Sequence, residues 1–350
     1  MPQKTSPQPA TIDDVARLAG VSSATVSRVI NQSAPVIPET LQKVQEAIEA
    51  LHYMPSSAAQ HLAGKKTSTL GFVVPEISEV FFLPLLRGIE EAASQAGYNL
   101  LIHTTRHKSG EERYKTLGKH NTDGLLVFSD SVDDRELARL DQSGFPAVLI
   151  YRDTPAGLSM PCVTIDNKNG ACTIVEHLIQ VHHRKRIVFL RGPQGVNDAE
   201  WREKGYRKAL ADNGLPIDET LIAAGDFKSA VAHDSILNLL RRGIAFDAVF
   251  SADDGSAFGA LAALREAGLR VPEDVSLAGF DDVEFAAHTL PSLTTVYAPT
   301  EEVGRNAVQQ LIHLIHHEPA QSISLLPTQA VIRQSCGCNE PRQSIKRKTL

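Results

Sequence analysis

Two acidic pairs, Asp253-Asp254 and Asp281-Asp282, each follow a short apolar run, at 248–251 and 275–280. Open α/β sheets bind their ligands just beyond the carboxyl ends of such strands. The ends of the other apolar runs carry groups of the same kind. Phe81 and Phe82 come after 70–75, Ser129 and Asp130 close 124–129, and Asn197, Asp198 and Arg202 follow 186–191, with Phe227 further on. Two chemistries fit this set. Paired carboxylates could hold Mg²⁺ for phosphoryl transfer. Alternatively, an Arg with carboxylates grips vicinal hydroxyls in bidentate pairs while an aromatic ring stacks on the C–H face of a sugar. The chain has no phosphate-cradling Gly-rich loop, nucleophile elbow or His-Glu metal motif, so no catalytic residue, metal or cofactor is assigned. The polyol reading stands, with Phe81, Ser129, Asn197, Asp198, Arg202, Phe227, Asp253 and Asp281 as the binding set. Their neighbours Asp254 and Asp282 read as helix caps, Phe82 as core, and Trp201 as packing outward.

The elements that position this set are legible from residue 70 onward. Runs 70–75, 98–103, 124–129, 147–151, 186–191, 248–251 and 275–280 read as strands. Between them, stretches such as 83–96, 168–182, 200–213, 256–267 and 301–316 read as amphipathic helices. Repeated βα units build a doubly wound parallel sheet. There are about twice as many units as one sheet needs, so two similar lobes are expected. Such a fold does not by itself specify a function.

Residues 11–55 have a different texture: short helices separated by turns. Thr11 is a good N-cap with Asp14 three residues later, and Ile12, Val15, Ala16 and Ala19 follow at helical spacing. Gly20 breaks the helix, Val21 fills the turn, and Ser22 caps a second helix from Ser23 to about Asn31 with Val26, Val29 and Ile30 inward. A third helix starts near Pro38, with Leu41, Val44, Ile48 and Leu51 on one face. A piece from Ser56 to Ala63, closed by Gly64, is marginal as an isolated helix.

Composition narrows the class. Of 350 residues 42% are hydrophobic and 22% charged, an ordinary globular balance. No apolar run approaches the ~18 residues needed to span a bilayer, and the polar, Pro-rich start lacks a signal-peptide core. A cytoplasmic protein is expected. The net charge is −6, and the first 66 residues carry six Lys/Arg against five Asp/Glu, so a nucleic-acid role must rest on geometry. Four cysteines are too few for a disulfide framework. Cys336-Gly337-Cys338 has a one-residue gap and no second pair to complete a zinc knuckle, and reads as an unremarkable reduced tail. The pairs His182-His183 and His316-His317 read as solvated helix ends.

The N-terminal motif, residues 11–22 (TIDDVARLAGVS) followed by 25–31 (TVSRVIN), resembles the lactose/galactose repressor (LacI/GalR) family. Residues 51–55, 60–64 and 279–282 reinforce it, and the similarity runs from about 11 to 338. The resemblance implies an α/β protein with an all-α helix-turn-helix N-terminal domain and a bilobal periplasmic-binding-protein-like domain of two doubly wound parallel sheets. The expected organisation is a disordered start (1–10), the helix-turn-helix domain (11–55), a hinge helix and linker (56–67), an effector-binding and dimerisation domain (68–338) and a disordered tail (339–350). Within 68–338 the N-lobe takes about 68–163 and 297–324, and the C-lobe about 164–296 and 325–338.

A recognition helix lays its N-terminal residues in the major groove. By resemblance Ser23 and Ala24 discriminate bases, the first through one hydrogen bond and the second against a thymine methyl. Arg28 is the long donor suited to guanine O6 and N7, while Thr25, Ser27 and Asn31 suit phosphates. Thr11, Ser22, Tyr53, Ser56 and Ala59 complete the expected DNA surface. Taken singly, Ser22, Thr25 and Ser27 could equally cap and solvate a surface helix; the assembled motif favours DNA. Leu62 either packs on its own domain or wedges into the minor groove and bends the duplex. The small face of Ala58, Ala59, Leu62 and Ala63 favours the wedge and pairing with a second copy, hence a homodimer on a pseudo-palindromic operator.

The family comparison makes Arg202, Asp281 and Phe227 effector ligands. Asp253 stands where sugar-responsive members usually carry Asn, and this extra carboxylate disfavours an acidic sugar unless Arg152 or another cation compensates. Val196 replaces a second Arg of purine-responsive members, which argues against a purine. Ile37 replaces the usual Ser/Thr cap of the third helix, and Ser56 and Gln60 replace a hinge Asn and Arg. The expected protein is a transcriptional repressor at the nucleoid, relieved allosterically by a sugar. The C-terminus carries no leucine heptads for tetramers.

Overall fold

The computed structural model describes residues 10–31, 34–53, 67–78, 80–105, 118 and 120–338. It falls into two compact units, Met1–Thr67 and Ser68–Leu350.

In the first unit, helices α1 (Ile12–Ala19), α2 (Ser23–Asn31) and α3 (Pro38–Ala50) surround a core in which Val15, Val26 and Val44 are fully buried. Local chemistry sets each boundary. Thr11 and Asp14 form a reciprocal capping box, and Gly20 closes α1 at φ 68°, where an L side chain would be strained. Ser22 accepts the Thr25 amide at 3.2 Å at the head of α2. At α3, Ile37 makes no side-chain cap and Pro38 opens the helix. Leu41, expected inward, is 38% exposed. The inward face is carried by Val44 and Ala47, with Ile48 and Leu51 packed alongside.

The second unit holds two parallel sheets. The first has order β11-β5-β4-β3-β1-β2, with β1 (Thr69–Val74), β2 (Asn99–Thr104), β3 (Gly124–Phe128), β4 (Ala147–Ile150), β5 (Cys162–Ile165) and β11 (Ile323–Leu326). The second has order β7-β6-β8-β9, with β6 (Ile187–Arg191), β7 (Ile222–Ala224), β8 (Ala248–Ser251) and β9 (Ser276–Ala278). An antiparallel pair, β10 (Thr295–Tyr297) with β12 (Gln329–Val331), lies where the chain passes between the sheets. Central strands β3, β4 and β8 are almost wholly buried, as continuous apolar runs in parallel sheets must be.

Helices α4 (Phe82–Gln95), α5 (Asp134–Gln142), α6 (Asn167–Gln180), α7 (Asn197–Asp212), α8 (Ser229–Arg241), α9 (Asp254–Glu266) and α10 (Thr300–Ile315) complete the βα units. α4 and α10 meet backbone to backbone: a Cβ on Gly88 would lie 2.0 Å from the Glu301 carbonyl oxygen. No helix among the described residues is long and apolar enough to cross a membrane.

Candidate functional site

The carboxyl ends of both sheets line one cleft of about 600 Å³, within the size range of small-molecule pockets. Its first-sheet wall carries Phe81, Phe82 and Phe128, with ring separations of 5.0–6.3 Å, and Tyr151 packs behind at 5.8 Å from Phe81 and 5.7 Å from Phe128. Both Phe81 and Phe82 therefore reach the cleft, although Phe82 was expected in the core alone. The second-sheet wall is polar and built around Arg202, which sits in α7 and is 2% exposed. Its guanidinium lies 3.0 Å from Asp281, donates to Asn167 Oδ1 at 2.8 Å and to the Ala252 carbonyl, and stacks 3.9 Å above the Phe280 ring. Asn167 in turn donates to Asp198 at 2.8 Å.

One guanidinium thus faces three buried carboxylates, Asp198, Asp253 and Asp281. Burial pushes Asp198 and Asp281 up to about 7, against the opposing pull of Arg202, and raises Asp253 in the same direction. Asp253 uses Oδ2 to cap α9 through the Ser256 amide, while its buried Oδ1 has no hydrogen-bond partner among the described residues. A buried acceptor without a donor costs free energy that a ligand hydroxyl recovers. Backbone strain gathers here too. Ser129 (φ 41°), Phe227 (φ 56°) and Asp281 (φ 109°) all lie at strand ends in the left-handed region, where observed strain points to a functional constraint.

Of the eight residues expected here, Phe81, Ser129, Asp198, Arg202, Phe227, Asp253 and Asp281 line the cleft. Asn197 is not among its lining residues: it exchanges hydrogen bonds with Asp153 at 3.3–3.4 Å. Asp254 and Asp282 are structural, though not as caps. Asp254 accepts from the Val283 amide and the Thr295 hydroxyl, and Asp282 pairs with Arg333 at 2.7 Å. Trp201 donates to Asp153 at 3.0 Å. Arg152 is bonded to Ser129 O, Val132 O and Asp134 and does not line the cleft. Among the described residues, the cations that do, besides Arg202, are Arg191 and Lys228. Arg191 ends β6, so the strand-end rule could have found it.

In the N-terminal unit, Ser22, Ala24 and Arg28 are exposed on one helix, with Ser23, Thr25 and Ser27 half-buried. The Ser23 hydroxyl donates to Asp13 at 2.5 Å, which leaves its oxygen to accept. Ser22 and Thr25 share a hydrogen bond at 3.0 Å, and the Thr11 hydroxyl is held by Asp14 at 2.7 Å. Tyr53 packs in the core of this unit at 9% exposure, so any contact it makes with DNA is through its hydroxyl edge rather than its ring. Ser56, Ala59 and Leu62 lie outside the described residues, as does the Asn31 side chain.

Residues 11–56 match the family described as bacterial regulatory proteins, lacI family, and residues 175–336 match a periplasmic binding protein-like domain. Catabolite control protein A of Priestia megaterium is 36% identical over 331 residues, covering 93% of this chain and 98% of that protein. The chain belongs to the LacI family of transcriptional regulators.

Other relatives give this LacI-family regulator the same frame. The HTH-type transcriptional regulator CelR of Thermobifida fusca is 38% identical over 335 residues, 93% of this chain and 98% of its own. Among solved structures, the lac repressor dimer bound to operator and the anti-inducer ONPF aligns with a TM-score of 0.82 at 29% identity, over 94% of this chain and 99% of that one. A CelR–cellobiose complex aligns at 0.71 and 35% identity, over 93% and 99%. The bilobal fold and helix-turn-helix domain expected from the sequence are those of this family, whose relatives are regulators rather than enzymes.

Proposed function

We propose that this LacI-family regulator is a repressor that binds a neutral sugar between its lobes and, as a homodimer, grips a pseudo-palindromic operator in the nucleoid. The observation that carries the sugar is the cluster around Arg202: three buried carboxylates on one cation, opposite an aromatic wall. Hydroxyl donors satisfy such acceptors while a ring's C–H face lies on Phe81 or Phe227. Among the described lining residues, Glu76, Asp130, Asp198, Asp226, Asp253 and Asp281 outnumber Arg191, Arg202 and Lys228, which favours a neutral sugar over a sugar acid. Relatives support the class, since solved members are described with cellobiose and with bound ribose. The dimer is supported by the lac repressor structure and by the apolar residues Leu101 and Ile102, 38% exposed on edge strand β2.

Control follows from linkage: the sugar biases DNA binding only by its differential affinity for two arrangements of the protein. On the DNA side, Ser23, with its proton committed to Asp13, reads a base amino group as an acceptor. The test is a thermal-shift screen of neutral sugars, sugar acids and nucleosides, in which the cleft ligand raises the melting temperature by mass action. The shift is lost in Arg202→Ala and Asp281→Ala. If both variants keep it, the pocket assignment fails.

A further inference from the structure

The Cys-Gly-Cys segment near the C-terminus lies beside two histidines that are distant in sequence. His177 is on α6 and 5% exposed, and half-buried His182 lies just past that helix. Cys336 ends a 3-10 turn (Gln334–Cys336) at 0% exposure, and half-buried Cys338 follows. One ring nitrogen of each histidine and both sulfurs lie within 4.8 Å of one another. This replaces the expectation of a plain tail beside solvated histidines.

The distances are those of a coordination tetrahedron. The two Nε2 atoms are 3.2 Å apart; His177 Nε2 is 3.5 Å from Cys336 Sγ and 3.7 Å from Cys338 Sγ; His182 Nε2 is 3.4 Å from Cys338 Sγ. Zinc bonds of about 2.3 Å to sulfur and about 2.05 Å to nitrogen, at tetrahedral angles, predict edges of about 3.3 Å (N···N) and about 3.5 Å (S···N). Hydrogen bonding alone accounts for the cluster poorly. His177 Nε2 faces three polar atoms at once, yet a ring nitrogen offers one lone pair or one proton in its plane. A cation at the centre serves all four.

The surroundings hold the cysteines in place independently of any ion. The Cys336 carbonyl accepts from Ser276 Oγ at 2.8 Å, and the Ser335 hydroxyl donates to the Leu277 carbonyl at 2.7 Å, which fastens the turn to β9. Gly337 joins the two cysteines at φ 114°, and a Cβ there would lie 3.0 Å from His182 Nδ1. Its conformation favours glycine, and a Cβ there would also crowd the imidazole.

We propose that His177, His182, Cys336 and Cys338 form a tetrahedral zinc-type metal site that pins the C-terminal turn to α6. Two thiolates and two neutral imidazoles balance a divalent cation, and binding releases the two thiol protons to solvent. Four protein ligands leave no open position, so the site is structural rather than catalytic. Tetrahedral S₂N₂ coordination selects zinc over the hard cations.

The test uses the full chain, stripped by chelator under reducing conditions and titrated with Co²⁺. The expected result is one Co²⁺ per chain with intense visible ligand-field bands and thiolate-to-cobalt charge transfer, both displaced by Zn²⁺. Cys338→Ser and His182→Gln lose the charge-transfer band or its saturation, while Cys162→Ser, buried in β5 away from the cluster, keeps it. In chelator, wild type and Cys338→Ser melt together; with Zn²⁺ the melting temperature of wild type alone rises. A weak octahedral cobalt spectrum, or a saturable tetrahedral spectrum that survives Cys338→Ser, overturns the site. So does a Zn²⁺-induced melting shift equal in both proteins.

Discussion

Replacing Asp198 by Asn should stabilise the ligand-free protein most at pH 8, less at pH 5, and not at all below about pH 4. Asp198 is 7% exposed in the first turn of α7, and its carboxyl is pushed up to about 7 by burial even with Arg202 beside it. An unfolded Asp titrates near 3.9, so the difference of about 3 pH units corresponds to at most ~4 kcal/mol at high pH. Asp281 shares the same guanidinium and is also raised to about 7, so the groups titrate together and the single change recovers a part, ~2 kcal/mol. For a domain of this size that is a rise of roughly 4–8 °C in melting temperature. The direction follows from the raised value: the folded protein binds this proton more tightly than the unfolded chain. That stabilising contribution is complete below the unfolded pKa and disappears as pH rises through about 7. Asn keeps the oxygen that accepts from Asn167 at 2.8 Å, so packing is preserved. The assay is differential scanning fluorimetry of both proteins from pH 5 to pH 8 without ligand. A gap independent of pH, or a variant that melts lower at pH 8, would refute the view that the empty cleft stores unfavourable charge.

Three further outcomes test the DNA-binding half. Ile37→Ser supplies the cap that α3 lacks at a side chain 72% exposed; it should slow amide hydrogen exchange across α3 by an amount equivalent to ~1 kcal/mol. Arg28→Ala should weaken operator binding by ~1–3 kcal/mol and relax selectivity at a G·C pair. A uniform loss with the salt slope reduced by ~1 would instead make Arg28 a phosphate contact. Leu62→Ala should abolish the operator bend measured by circularly permuted gel shifts while leaving the salt dependence of binding intact; an unchanged bend removes the wedge.

What could be read from the sequence was what short-range chemistry determines. Thr11 with Asp14, Gly20, Ser22 and Pro38 set the first three helices locally, and the long apolar runs gave the central strands. The strands not foreseen, β5, β7, β11 and the β10–β12 pair, are three or four residues long, too short for a period to register. Their existence depends on pairing with distant chain. The cleft followed from the strand-end rule, and Asn197 was wrongly grouped with Asp198 because adjacent residues on a helix point about 100° apart. Arg191 was passed over because it was counted inside its strand. The histidine–cysteine cluster joins residues 159 apart, and no spacing rule along the chain reaches that far.

The two cleft walls divide the work in a way that bears on control. Asp198, Arg202, Asp253 and Asp281 all come from the helices and strand ends of the second sheet, whereas Phe81, Phe82 and Phe128 belong to the first. The buried carboxylates that can take a ligand's hydroxyls therefore sit on one lobe, while the other adds the polar groups of Glu76, Ser129 and Asp130. The first lobe adds contact between an apolar ring face and the side chains of Phe81, Phe82 and Phe128. A polyol without a rigid apolar face should bind the second lobe while holding the first weakly. Because an effector acts only through differential affinity for the two arrangements, a ligand that stacks on the first lobe and one that does not should differ in their effect at the operator.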